Sequence, residues 1–208
     1  MRLPPEPIPG ITELPPSAPG MRIGLFGGSF NPPHAGHRLV ALQAMKRLGL
    51  DAVWLLVSPG NPLKSHRELA PLAHRVHQTR NLLRHPRIRV TGVEAAQGFR
   101  YTFDTLDFLG RRLPGRHLVW IMGADNLATF HRWDRWREIA SLMPMAVYVR
   151  PNSGAGALVS PAAETLARHR LDEADARLLP TLHPPAWVFL HGEVSPLSST
   201  ALRSANRR

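Results

Sequence analysis

Short apolar runs recur along the chain at intervals that leave room for one helix each. Arg22–Phe26, Ala52–Val57, Ile88–Val93, Leu118–Met122, Met145–Val149 and Trp187–Leu190 are four to six residues long. Their nearly continuous apolar character is that of strands buried on both faces. Helical spacing of apolar positions falls between them, over Gly36–Leu48, Leu72–Arg84, Thr102–Arg112, Trp133–Leu142 and Glu164–Arg170. This alternation predicts an α/β fold, a Rossmann-like doubly wound parallel sheet with helices on both faces, formed as a single domain by residues 21–208. Ligands of such sheets bind beyond the carboxyl ends of the strands, near the switch in strand order. Residues 1–20 hold seven of the 21 prolines and predict a flexible, partly polyproline leader that adds no core. Asn152–Gly156, small and glycine-rich, predicts a loop.

Composition narrows the picture. A chain of 208 residues that is 43% apolar can bury one real core. No run approaches the ~18 apolar residues of a membrane helix. The absence of cysteine excludes disulfides, thiolate–zinc sites and a cysteine nucleophile, and fits a cytoplasmic location. The net charge of +11 attracts polyanions, nucleic acid and nucleoside triphosphates alike. The basic residues are dispersed, and no zinc-finger or RRM-type aromatic signature accompanies them.

The chemistry concentrates in Gly27-Gly28-Ser29-Phe30-Asn31-Pro32-Pro33-His34-Ala35-Gly36-His37, which follows the first strand and opens the first helix. The free N–H groups and positive dipole end of a helix N-terminus favour an anion there. Gly27 and Gly28 let the backbone approach a phosphate, and Pro32 and Pro33 stiffen the way into the helix. The order Gly24-x-x-Gly27-Gly28 is neither the dinucleotide fingerprint nor a Walker A loop. His34 and His37, three apart, share one side of the first turn and can donate to phosphate oxygens. A surface or core pair and a metal pair are the alternatives, the second without a carboxylate at H-E-x-x-H spacing.

Gly27–His37 resembles the phosphate loop of the HxGH nucleotidyltransferase superfamily. Within it, the chain resembles the bacterial nicotinate-nucleotide adenylyltransferases. Four further segments follow in the family's order: Asn61-Pro62-Leu63-Lys64, Arg100-Tyr101-Thr102-Phe103-Asp104-Thr105-Leu106, Gly123-Ala124-Asp125-Asn126 with Phe130 and Trp133, and Leu197-Ser198-Ser199-Thr200-Ala201-Leu202-Arg203. Arg100 stands where the family usually has Ser. Asp134 follows Trp133 where an aromatic is frequent, and it is expected to face solvent.

The resemblance implies transfer of the adenylyl group of ATP to nicotinate mononucleotide, giving deamido-NAD and pyrophosphate by in-line attack with no covalent intermediate. It implies His34, His37 and Arg203 as catalytic groups. Gly27, Gly28, Ser29, Phe30, His34, His37, Asp125, Ser198, Ser199, Thr200 and Arg203 would bind ATP, with Asp125 accepting from a ribose hydroxyl. Asn31, Lys64, Tyr101, Thr102 and Trp133 would bind nicotinate mononucleotide, Trp133 by stacking on the pyridine ring. Mg²⁺ is expected to be carried mainly by the ATP phosphates rather than by protein ligands. The expected partners are these small molecules, with neither nucleic acid nor membrane.

Plainer readings stand beside these: Asp125 as a helix N-cap, Ser199 and Thr200 as a plain cap beside a solvated Arg203, Lys64 and Arg75 as solvated cations or ligands of a phosphate or carboxylate, Trp133 as a core residue, and Trp136 as the stronger candidate for core. Two other functions stay open. One is the same chemistry on another acceptor, nicotinamide mononucleotide or phosphopantetheine; the other is a basic nucleic-acid-binding module.

Overall fold

Seven parallel strands form one sheet in a computed structural model that describes residues 7–60, 69–149 and 155–192. The strands are β1 (Arg22–Gly28), β2 (Ala52–Val57), β3 (Ile88–Thr91), β4 (His117–Gly123), β5 (Met145–Tyr148), β6 (Arg170–Leu171) and β7 (Trp187–Leu190). Their order is β3-β2-β1-β4-β5-β7-β6. The direction of winding reverses between β1 and β4, which pair from Arg22 with His117 to Phe26 with Ile121. The helices are α1 (Ala35–Leu48), α2 (Leu72–Leu82), α3 (Val93–Gln97), α4 (Thr102–Arg112), α5 (Ala124–Thr129), α6 (Trp136–Leu142), α7 (Ala155–Leu158) and α8 (Pro161–Thr165), with 3₁₀ turns at Phe130–Arg132, Ala167–His169 and Glu173–Thr181.

The alternation along each strand divides the core in two. Ile23, Leu25, Trp54, Leu56, Trp120 and Met122 face Leu106, Leu109, Leu127 and Ile139 from α4, α5 and α6. Phe26, Val53, Leu55, Val119 and Ile121 face Ala41, Ala44, Met45 and Leu48 from α1, Val76 from α2, and Leu179. Both faces are apolar, as the unbroken apolar runs require. Gly49, with φ +62°, ends α1 in the left-handed conformation, where a Cβ would add strain.

Several elements differ from the sequence reading, each for a local reason. β3 stops at Thr91, because the Gly92 N–H goes to the Ile11 carbonyl, and Val93 begins α3. α6 begins at Trp136, because Arg135 holds φ +52° before it. The helix expected over Glu164–Arg170 starts earlier, at Pro161, where the Ser160 hydroxyl caps the Ala163 N–H and proline occupies the first helical position. Arg170 instead enters β6. Of the loop expected over Asn152–Gly156, Ala155 and Gly156 open α7, and the rest lies outside the described residues.

The leader also departs from expectation. Its described part, residues 7–20, is fastened to the domain. Thr91 Oγ1 donates to the Glu13 carbonyl (2.7 Å), Arg80 Nη2 to that of Gly10 (2.6 Å) and Arg116 Nη2 to that of Ser17 (3.0 Å). Ile11 and Leu14 pack against the two halves of the core. Proline supplies a stiff extended chain, but these two apolar residues between the proline clusters give it something to bury.

Candidate active site

The loop from Gly27 to His37 leaves the carboxyl end of β1, and α5 leaves the adjacent end of β4, so both open onto the switch point of the sheet. Gly27 is fixed from below: a Cβ there would stand 2.4 Å from Trp120 Cη2. Close packing, as much as the approach of a ligand, therefore requires glycine. Phe30 turns the chain at φ +46°, a conformation that costs energy for a residue with a side chain. Its ring is 1% exposed and lies 4.8 Å from the ring of His37, so what Phe30 can offer a ligand is backbone.

His34 is the N-cap of α1 and His37 its third residue. Both are buried, and their rings lie 3.8 Å apart at a tilt of 36°. The backbone N–H of His34 donates to Nδ1 of His37 (3.1 Å). That bond assigns the His37 proton to Nε2, the nitrogen that can then donate to a ligand. The pair thus combines side-chain donors with the positive end of a 14-residue helix.

Asp125 is exposed in the first turn of α5, with no side-chain hydrogen-bond partner among the described residues. The N-cap of α5 is Gly123, not Asp125. Tyr101 caps the N-terminus of α4, half-exposed, and Thr102 is its first residue. The segment carrying Trp133 lies against this helix, because the Arg135 guanidinium stacks on Phe103 at 3.4 Å. Trp133 is partly buried and meets Phe130 edge to face, with centroids 5.5 Å apart. Trp136 is core, as expected, and Asp134 is exposed. Asn31 Oδ1 accepts from the Ala70 N–H (3.2 Å). Lys64, Ser198, Ser199, Thr200 and Arg203 lie outside the described residues.

One group was not legible as part of the site. Arg75, read from sequence as a solvated cation or a ligand of a phosphate or carboxylate, is 1% exposed and donates to three backbone carbonyls, one of them Ser29 of the loop. The available signal was its place on the inward stripe of α2, with Val76 and Thr79. Glu94 lies on α3; burial pushes its carboxyl up to about 7, against the lowering effect of the Thr105 hydroxyl of α4. Among the described residues, no group of three or more His, Asp or Glu side chains is arranged to hold a metal ion.

Compared with known proteins, residues 25–205 match the family model described as cytidylyltransferase-like. A Methylorubrum extorquens protein named "Probable nicotinate-nucleotide adenylyltransferase" is 60% identical over 184 residues, covering 88% of this chain and 100% of its own. A Mesorhizobium japonicum protein of the same name is 54% identical over 190 residues, covering 91% and 97%. In structure, the Plasmodium falciparum nicotinic acid mononucleotide adenylyltransferase complexed with NaAD shares the fold with a TM-score of 0.66 at 16% identity, covering 88% of this chain and 82% of that one.

Proposed function

The chain belongs to the cytidylyltransferase-like family and, within it, to the nicotinate-nucleotide adenylyltransferases, and we propose that it transfers the adenylyl group of ATP to nicotinate mononucleotide. A phosphate oxygen of the mononucleotide attacks the α-phosphorus of ATP in line. The bond from that phosphorus to the β-phosphate oxygen breaks, pyrophosphate leaves and deamido-NAD remains. The attacking phosphate monoester has little proton to lose near neutral pH, so the protein needs no nucleophile and little general-base help. Positioning and stabilisation of charge carry the catalysis.

The observation that carries this reading is the His34–His37 pair at the N-terminus of α1, with the His37 proton on Nε2. A neutral imidazole donor and the free N–H groups of the helix start stabilise negative charge building on the ATP phosphates. Asp125 accepts from a ribose hydroxyl. The first turn of α4, with Thr102, receives the nicotinate carboxylate, and Trp133 stacks on the pyridine ring. Asp134 faces solvent beside it, where its charge is screened. By the family resemblance, Lys64, Ser198, Ser199, Thr200 and Arg203 add donors to the phosphates. Mg²⁺ would enter on the polyphosphate and neutralise charge on the leaving pyrophosphate.

The test is pyrophosphate release with Mg²⁺–ATP, comparing nicotinate mononucleotide, nicotinamide mononucleotide and phosphopantetheine. Strong preference for the first is expected. Equal or better use of another acceptor would keep the histidine chemistry and overturn the acceptor pocket. Absence of turnover with all three would overturn the reaction.

A further inference from the structure

Arg75 is a buried cation for which the reaction above has no task. Among the described residues its guanidinium meets neutral carbonyls: Nε donates to Ala70 (2.8 Å), and Nη1 to Ser29 (2.7 Å) and Ser58 (2.8 Å). No carboxylate among the described residues forms an ion pair with it. Buried charges in proteins are normally paired, because the interior solvates them poorly. Burial accordingly holds this guanidinium below its usual value.

The carbonyls that Arg75 gathers tie three segments together. Ser29 belongs to the candidate phosphate loop, Ser58 follows β2 and Ala70 precedes α2. The same cage is closed by two more bonds, Ser58 N–H to the Gly28 carbonyl (3.0 Å) and Ala70 N–H to Asn31 Oδ1 (3.2 Å). In a trans peptide the C=O and the following N–H point opposite ways. Anchoring the Ser29 carbonyl on Arg75 therefore turns the Phe30 N–H away from the guanidinium, with a full positive charge behind the peptide dipole.

We propose that Arg75 is a positioning residue whose charge, unpaired by any carboxylate among the described residues, is answered by the phosphates bound at the Gly27–His37 loop. It fixes Gly28–Asn31 in shape and makes the loop electropositive without touching the ligand. This inference rests on the adenylyl-transfer reading for the identity of the phosphates, but not for the presence of an anion. Linkage gives it a measurable form: an anion that relieves a buried cation stabilises the protein, and does so less when the cation is removed.

The experiment compares the wild type with Arg75→Lys, which keeps the charge and loses the fork, and Arg75→Gln, which keeps a donor and loses the charge. The readouts are the rise in Tm caused by sodium tripolyphosphate at constant ionic strength, and kcat and KM for both substrates well below Tm. Both variants are expected to have a lower Tm without ligand. Arg75→Lys should keep most of the tripolyphosphate shift, whereas Arg75→Gln should lose most of it and raise KM for ATP by about tenfold, with a smaller change in kcat. Equal shifts and equal KM in all three proteins would leave Arg75 a mere strap and overturn the proposal, as would a wild type that tripolyphosphate does not stabilise. If Arg75→Gln does not fold, the Nε–H resonance of Arg75 in the labelled wild type, identified by its loss in Arg75→Lys, should shift with the tripolyphosphate binding curve; an unmoved resonance overturns the proposal. The tripolyphosphate arm needs no acceptor, so stabilisation without turnover of nicotinate mononucleotide would overturn the reaction and not the role of Arg75.

Discussion

The backbone N–H of His34 donates to Nδ1 of His37 across 3.1 Å, so the N-cap of α1 sets the tautomer of the histidine one turn on. A histidine accepting at Nδ1 carries its proton at Nε2, and a bond from the chain itself keeps it there. Phe30, packed on the same ring, limits its rotation. The geometry of the loop is thus held by the loop's own backbone and by one aromatic neighbour.

His37→Asn separates these two roles. The amide oxygen of Asn can accept from the His34 N–H in place of Nδ1, but no donor then reaches the position of Nε2. The expected result is a folded protein with kcat lowered by roughly 10²–10³, the size of losing one preorganised transition-state donor. Steady-state pyrophosphate release checks it, and near-wild-type kcat would remove His37 from the chemistry.

Gly27→Ala should destabilise the protein by roughly 1–3 kcal/mol, the usual effect of overpacking a filled site. The new methyl would have to push against Trp120 Cη2, the edge of a nearly buried indole. Trp120→Phe removes that atom, so the double variant should lose less than the sum of the single ones. Urea unfolding of the four proteins measures this, and strict additivity would mean that the two side chains do not meet.

How much of this was legible followed from how local each feature is. The strands at Ala52–Val57 and Trp187–Leu190 and the helix Thr102–Arg112 stand in the structure with the bounds their patterns predict. Each is specified by its own apolar spacing. The 3₁₀ stretch Glu173–Thr181 was missed because Asp172 starts it through a short-range cap while Pro180 interrupts any α-helical pattern. The loop with His34 and His37 was legible because its chemistry is contiguous in sequence. The Arg75 cage was not, because Gly28, Ser29, Asn31, Ser58 and Ala70 come together only when β1, β2 and α2 are in place. The leader misled for the opposite reason: its prolines dominate the composition, while Ile11 and Leu14 decide its packing.

Glu94 predicts a pH dependence of stability. Its carboxyl is raised from 4.5 to about 7 by burial, so between those values the native protein holds a proton that the unfolded chain has released. Stability therefore falls as pH rises through this window and is flat in this respect above it. Glu94→Gln keeps a partner for the Thr105 hydroxyl and removes the titration. The difference in unfolding free energy, variant minus wild type, should grow in favour of the variant from pH 5 to pH 7.5. Denaturant midpoints across that range check it; a difference independent of pH would show that Glu94 is solvated.

Removing residues 2–20 should lower stability and spare turnover. The deletion strips partners from Thr91, Gly92, Arg80 and Arg116 and uncovers core beneath Ile11 and Leu14. A few lost hydrogen bonds, at ~1 kcal/mol each, give a loss of roughly 2–4 kcal/mol. β3 is separated from β1 by β2, so kcat measured well below Tm should stay within about twofold of the full chain, a margin of roughly 0.4 kcal/mol. Thermal unfolding and turnover on the same preparation separate the two effects.

Trp133→Ala tests the acceptor pocket. Trp133 is held edge to face by Phe130, is only partly buried, and sits on a segment pinned to α4 by Arg135 on Phe103. Its ring can therefore be removed at less cost to the core than that of Trp136, which is 8% exposed. A stacking partner of the pyridine ring contributes roughly 0.5–1.5 kcal/mol beyond area burial, so KM for nicotinate mononucleotide should rise about tenfold while KM for ATP changes little. Trp133→Phe retains a ring face and should recover most of the loss. If the alanine variant weakened ATP and left the mononucleotide alone, the pyridine would have to bind elsewhere, and the first turn of α4 would lose its claim on the carboxylate with it.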